Sequence, residues 1–408
     1  MDQPTSLKFE PLEGGVTAPL GFRAGAFAAG IKKAGKLDVA ILTADSDVPA
    51  AAVYTTNSVA AAPVVVSRSH TAAGRVRAAV INSGNANACT GARGLADACA
   101  MAVAVGEAIG CSAEAVVVSS TGVIGVPLPL ENVLSGISGA AAALTGDGGP
   151  AAAEAIRTTD TFAKQCAVAL TLDGVTYAVG GIAKGSGMIQ PNMATMLAFV
   201  TTDAPLTSEA CDAVLRGATA RTFNRITVDS DTSTNDMCLL LASGAAGGEP
   251  IGQGGERYDA IAAAVHHVCG ELARMIVRDG EGATKFVEVT VRGAASESDA
   301  EAAAFAIANS PLCKTAIFGG DANWGRVAMA IGKSGAVVDP DAFGVVFAGI
   351  PTCVAGAAIA FDEDAAAAAL GKSDVDVLVD LHVGDGTATV WTCDLSYEYV
   401  RINGEYRS

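Results

Sequence analysis

Apolar runs of strand length punctuate the first half of the chain. Val39–Thr43, Ala51–Thr56, Pro63–Ser67 and Arg77–Asn82 each read as a strand. Residues 1–35 read as an irregular lead-in, broken by Gly14-Gly15, Pro19 and Gly21. The small polar stretch Ser83–Gly94 predicts a loop, followed by a helix over Leu95–Ile109 that Gly110 ends. A buried strand at Ala115–Ser120 runs into Thr121-Gly122-Val123-Ile124-Gly125. Helical patterns follow at Glu131–Leu144 and Ala151–Ile156, with a linker at Thr145–Pro150 between them. Gln165–Leu172, the turn Asp173-Gly174 and Val175–Ile182 predict a hairpin. It delivers the chain to Lys184-Gly185-Ser186-Gly187, a flexible stretch, then Pro191 and an apolar strand at Met196–Val200.

Beyond that strand, Ser208–Ala220 predicts a helix capped by Thr207 or Ser208, with Glu209 in its first turn. Thr227–Asp236 reads as a loop, Met237–Ser243 as a strand, Gly244–Gly255 as a glycine-rich loop and Tyr258–Val277 as a long helix. The pattern changes after Asp279-Gly280-Glu281-Gly282. A strand at Lys285–Val291, an alanine-rich helix at Ser296–Ala308, the glycine-rich GDANWGR at Gly320–Arg326 and several late strands suggest a second unit. The expected division is 1–280 and 281–408, with mixed α and β elements in both.

Composition narrows the function. Half of the 408 residues are hydrophobic but only 5% are aromatic, which predicts close packing through small side chains. No uninterrupted apolar run reaches the ~20 residues that span a bilayer, and MDQPTSLKFE has no signal-peptide pattern. A cytoplasmic protein is expected. The ten cysteines form no CxxC pair and read as reduced thiols. A net charge of -17 without a basic stripe argues against a nucleic-acid partner.

Several motif candidates fail on spacing. Gly332-Lys333-Ser334 and Gly371-Lys372-Ser373 lack the upstream glycine of a phosphate loop, since Val327 and Ala366 stand there. Gly185-x-Gly187 lacks a dinucleotide site's third glycine, because position 190 is Gln190. Asp229-x-Asp231 lacks a calcium loop's glycine and glutamate, with Thr234 and Leu240 in those places. His266 and Cys269 share a helix face, but two ligands do not make a metal site.

Thr195 is the remaining chemical candidate. An isolated threonine heading a strand is ordinarily a β-former. Cleavage of the Ala194–Thr195 peptide would make it a chain terminus, whose α-amine titrates near ~7.7–8.0 and can serve as base for its own hydroxyl. The scarcity of histidines (His70, His266, His267 and His382) favours that arrangement over a histidine-based triad.

Six stretches then converge: KGSGMIQPNMATMLAFVTTD at Lys184–Asp203, STGVIG at Ser120–Gly125, TTDT at Thr158–Thr161, DGEGATK at Asp279–Lys285, GDANWGR and the final INGEYRS. Together they resemble the ornithine acetyltransferase family, the self-processing glutamate N-acetyltransferases of arginine biosynthesis. The resemblance runs from about residue 10 to the last residue. It implies an αββα sandwich of two sheets between helical layers, with a separate C-terminal α/β domain. It implies self-cleavage at Ala194–Thr195 into an α chain (1–194) and a β chain (195–408) that remain together as α₂β₂. Thr195 would be the nucleophile, with Thr121 and the Gly122 N–H as the oxyanion hole. Thr161, Lys184, Thr195, Glu281, Asn403 and Ser408 would surround N-acetylornithine and glutamate, without a bound cofactor. Acetyl-CoA as a second donor is left open. Alternatives are a self-processing aminopeptidase or amidase of the same architecture, and an uncleaved amino-acid-binding protein.

Overall fold

The structure is a computed structural model describing residues 7–32, 35–190 and 196–405. Ala194, Thr195 and Ser408 lie outside those residues. In chain order the first part contains β1 (Glu10–Pro11), β2 (Phe22–Phe27), β3 (Val39–Tyr54), α1 (Ala62–Thr71), β4 (Arg75–Asn85), α2 (Gly91–Ile109), β5 (Val116–Val123), α3 (Leu130–Ala142) and α4 (Gly149–Ala155). Next come β6 (Lys164–Leu172), β7 (Val175–Lys184), β8 (Leu197–Thr202), α5 (Ser208–Arg221), β9 (Met237–Ala242) and α6 (Glu256–Arg278).

The two strands expected at Val39–Thr43 and Ala51–Thr56 are one strand, β3, and this join organises the fold. Its first half pairs antiparallel with β2 and β4, and its second half with β9. The pairing order is β1-β6-β7-β8-β9-β3-β4-β5, with β2 on β3. Alternation along the strands then assigns the layers. Leu42, Ile81, Leu197, Phe199, Leu239 and Leu241 point into one shared core between the two halves of the sheet. Val200, Cys238 and Leu240 face the opposite way, against α5 and α6. Val39, Ile41, Val80 and Val118 face α2 and α3. The result is helix, sheet, sheet, helix.

Helix α6 shows why the outer layers adhere. Ile261, Ala264, Val265, Val268, Leu272 and Ile276 recur at three- and four-residue spacing and are all buried. Each of the larger side chains contributes about 1.5–3 kcal/mol relative to exposure. This helix is long and apolar enough to cross a membrane by length and composition, but 61% of that stretch is buried inside the protein.

One expected strand is a helix. Pro63–Ser67 lies in α1, where Pro63 occupies the first turn, a position that needs no N–H. The tertiary setting overrides the β-propensity of the three valines. Ser67 donates to the Val118 carbonyl (2.7 Å) and accepts from the Val118 N–H (2.8 Å), while His70 Nδ1 lies 2.7 Å from the Val116 carbonyl. The helix thereby covers β5, the edge strand. The lead-in also contains a strand that the pattern did not reveal, β2, paired along its length with β3.

The rest of the chain forms β10 (Phe286–Ala294), α7 (Glu297–Ala308), α8 (Pro311–Phe318), α9 (Trp324–Gly332), β11 (Gly344–Phe347), β12 (Ile350–Val354), β13 (Ala357–Ala358), α10 (Glu363–Leu370), β14 (Asp374–Asp380), β15 (Gly386–Cys393) and α11 (Tyr397–Glu405). Its six-stranded sheet has its own core around Val289, Ile307, Val345, Val377 and Val390. The glycine-rich GDANWGR is a helix start: the Asn323 side chain accepts from the Arg326 N–H at 3.2 Å and begins α9.

Candidate active site

Four strand ends meet at a cleft of about 220 Å³ that opens to solvent. Strands β5 and β7 end there, and β8 and β9 begin there. Thr121, Gly122, Lys184, Glu281 and Asn403 line it, with Thr158, Thr159, Ser233, Asn235 and Asp236. Ile189 and Met196 line it too. The chain on both sides of 190–195 therefore borders the cleft.

One wall is built by backbone sterics. Gly122 pairs with Gly84 of β4 and has φ +134°. A Cβ there would lie 2.3 Å from the Gly84 carbonyl carbon and 2.5 Å from the Asn85 nitrogen. Only glycine allows the two strands to close at this point. Asn235 ties the same wall to β9, its amide donating to the Ala86 (2.6 Å) and Ser120 (2.9 Å) carbonyls.

The other wall is built on buried charge. Lys164, fully buried, donates to Asp160 Oδ1 at 2.6 Å and Asp279 Oδ2 at 2.5 Å. Asp160 Oδ1 also accepts the Gly185 N–H at 2.7 Å, and Oδ2 accepts the Thr158 N–H at 2.9 Å. Burial pushes the Asp160 carboxyl up, but Lys184, Lys164 and the Gly185 N–H together outweigh it and hold the group well below the usual carboxylate range. The Ser186 hydroxyl donates to the Asp279 carbonyl at 2.6 Å, and the Glu281 N–H to the Ser186 carbonyl at 2.9 Å. Gly185-Ser186, expected to be flexible, is thus held by hydrogen bonds on both residues.

Lys184 spans the walls. Its ammonium donates to the Thr121 hydroxyl at 3.3 Å. Burial pushes its pKa below the ordinary 10.5, and Lys164 lowers it further, while Asp160, Asp236 and Glu281 act in the opposite direction. Glu281 accepts from the Asn403 amide of α11 at 2.9 Å, which carries the C-terminal unit to the cleft mouth. Gly187 lies against Glu281, where a Cβ would come within 2.4 Å of the carboxylate.

Of the residues singled out in the sequence, Thr121, Gly122, Lys184, Glu281 and Asn403 come together. Thr161 does not line the cleft: its hydroxyl and N–H both bind Asp279, and Thr158 and Thr159 line it instead. The sequence reading missed Asp160, Lys164 and Asp279, although TTDT and DGEGATK contain the two carboxylates. It also missed Asp229, whose carboxylate accepts the N–H groups of Met188 (2.7 Å) and Ile189 (2.8 Å). Met188 has φ +57°, a conformation that this clamp holds. Acidic residues inside an otherwise small-residue loop are the signal that could have found it. Among the described residues no group of three His, Cys, Asp or Glu side chains is placed to hold a metal ion.

Residues 23–408 match the ArgJ family. The chain belongs to that family. The arginine biosynthesis bifunctional protein ArgJ of Symbiobacterium thermophilum is 55% identical over 98% of this chain and all of its own length. The ArgJ of Geobacter sulfurreducens is 52% identical over 95% of this chain and 99% of its own. Among solved structures, the ArgJ of Bacillus halodurans is 46% identical with a TM-score of 0.51, and it covers 52% of this chain and 100% of that crystal chain. ArgJ sequences are thus matched over essentially their whole length, whereas that ArgJ crystal chain corresponds to about half of this one.

Proposed function

We propose that this ArgJ protein transfers an acetyl group from N-acetylornithine to glutamate through an acetyl ester on Thr195. The observation that carries this reading is the convergence of Thr121, Gly122, Lys184 and Glu281 on one cleft bordered by both Ile189 and Met196. The chain first cuts itself at Ala194–Thr195, the Thr195 hydroxyl attacking the Ala194 carbonyl and water hydrolysing the resulting ester. A crystal chain of a relative that matches only half of this sequence supports a divided precursor.

In the mature enzyme the Thr195 α-amine accepts the proton of its own hydroxyl as the oxygen attacks the acetyl carbonyl. General-base help of this kind is worth ~10²–10⁴ in rate. Negative charge developing on the carbonyl oxygen meets the Thr121 hydroxyl and the Gly122 N–H, and one such donor is worth ~10²–10³. Lys184, in contact with Thr121, adds positive charge beside them. The acetyl C–N bond breaks, the proton passes to the departing ornithine amine, and acetyl-Thr195 remains. Glutamate's amine then attacks the ester, its proton returns through the α-amine, and N-acetylglutamate leaves. No bound cofactor takes part. Lys184 binds the substrate α-carboxylate and Glu281 the ornithine ammonium; Asn403, Ser408 and the Thr158–Thr161 segment complete the pocket. The assembly is α₂β₂ and cytoplasmic, and acetyl-CoA serves as an alternative donor.

The test is purified protein with N-acetylornithine and glutamate. Equimolar ornithine and N-acetylglutamate are expected. Release of free acetate at a rate that glutamate does not raise would instead indicate an amidase. Acetyl-CoA with glutamate alone tests the second donor.

A further inference from the structure

We infer that the buried triad Asp160–Lys164–Asp279 positions the ligand-binding wall, with Asp160 as the residue that sets affinity for the amino-acid substrates. The inference rests on the reading of the cleft as a transferase site and adds residues to it. Three chain segments supply that wall: the turn through Thr158 and Thr159, the exit of β7 through Lys184 and Gly187, and the stretch after α6 that carries Glu281. None is tied to the others by strand pairing at these positions. Each is tied to the triad. Asp160 holds the first through the Thr158 N–H and the second through the Gly185 N–H, one residue after Lys184. Asp279 holds the first through the Thr161 N–H and hydroxyl, and its carbonyl takes the Ser186 hydroxyl. Ser186 in turn accepts the Glu281 N–H. Lys164 binds both carboxylates from within the protein, so neither is free to turn into the cleft.

Nothing in the transfer chemistry requires these three groups, and all three are buried, where apolar side chains would ordinarily pack. A buried ion triad stabilises a fold less well than apolar side chains of similar volume. Its value here is geometric: it fixes Lys184 and Glu281 relative to each other, and so fixes the distance between the charges that a bound amino acid must match.

The test compares Asp160→Asn with the triple variant Asp160→Asn/Lys164→Met/Asp279→Asn, in both cases normalised to the cleaved fraction on denaturing gels. Asp160→Asn is expected to raise KM for N-acetylornithine and glutamate at least ~10-fold while kcat falls no more than ~3-fold. It also lowers Tm, because Lys164 loses one of its two carboxylates. The triple variant leaves no buried charge in the triad, so Tm recovers, but KM stays high because the one oxygen of the introduced amide cannot take both the Gly185 and the Thr158 N–H groups as the two carboxylate oxygens do. A triple variant that regains wild-type KM together with Tm would show the triad to be structural filling and overturn the inference. So would a triple variant that does not fold, or a single variant that loses kcat with KM unchanged. Wild-type protein without transfer would overturn the functional reading itself, whatever these variants do.

Discussion

The two walls of the cleft are held by opposite means. On the Thr121–Gly122 side, position follows from backbone contact: β4 and β5 approach so closely that no side chain fits between them. On the Lys184–Glu281 side, position follows from charge, with one buried lysine and two carboxylates acting as a hub for three segments. Sterics do not titrate, so the backbone placement of the first wall is indifferent to pH. The second contains a buried lysine whose pKa is lowered and a carboxyl held low beside it. The division suits the proposed chemistry. Oxyanion donors must stay fixed through a turnover, while a substrate-binding wall must present charge at a set spacing to the amino acids that bind in succession.

Substitutions can break this contrast. Gly122→Ala should have the largest effect, because its Cβ meets backbone atoms that cannot yield and its φ is unfavourable for alanine. Transfer is expected to fall more than ~10²-fold, with stability lower by about 3 kcal/mol, read from kcat and from chemical denaturation. Lys184→Met should act through the other wall, raising KM for both amino acids by ~10–100-fold and lowering kcat by a smaller factor, since its charge also lies beside Thr121. In the wild type the same KM should rise with pH before the ordinary lysine range, since the ammonium that binds the carboxylate is lost early. The sign for stability is opposite. Between the lowered folded pKa and the ordinary 10.5 the unfolded chain binds more protons at this site, so folding gains as pH rises through that window. A KM–pH profile flat to pH 10 would contradict the assignment. Gly187→Ala should be the mildest, because its neighbour is the movable end of Glu281; a few-fold rise in KM for ornithine-bearing substrate with unchanged Tm is expected.

Local pattern revealed most of the elements and little of their arrangement. Hairpin β6–β7 was legible because alternation and Asp173-Gly174 are both local signals. Helix α6 was legible from its spacing. The joining of two apolar runs into β3 was not, because Asp45-Ser46-Asp47 looks like a turn, whereas here the polar residues lie where the strand passes from one half of the sheet to the other and its pairing with β4 shifts register. Helix α1 was hidden because three adjacent valines favour strands, and only the presence of an uncovered β5 edge favours a helix. At the site, Thr121, Gly122, Lys184 and Glu281 were recognisable through motifs. Asp160 and Lys164 were not: four residues apart across the start of a strand, they acquire meaning only when β6 and the end of α6 are brought together around them. Asp229 fails as a calcium ligand on spacing, and its closest partners are the Met188 and Ile189 N–H groups about 40 residues earlier in the chain.

The proposed transfer depends on Thr195 being freed by its own reaction. The direct measurement is intact-mass spectrometry of denatured wild-type protein and of Thr195→Ala, each assayed in parallel for N-acetylglutamate formation. Two wild-type fragments, 1–194 and 195–408, with activity, against one inactive uncut Thr195→Ala chain, is the predicted result. An uncut wild-type chain that forms N-acetylglutamate at full rate, or an active Thr195→Ala variant, would contradict it.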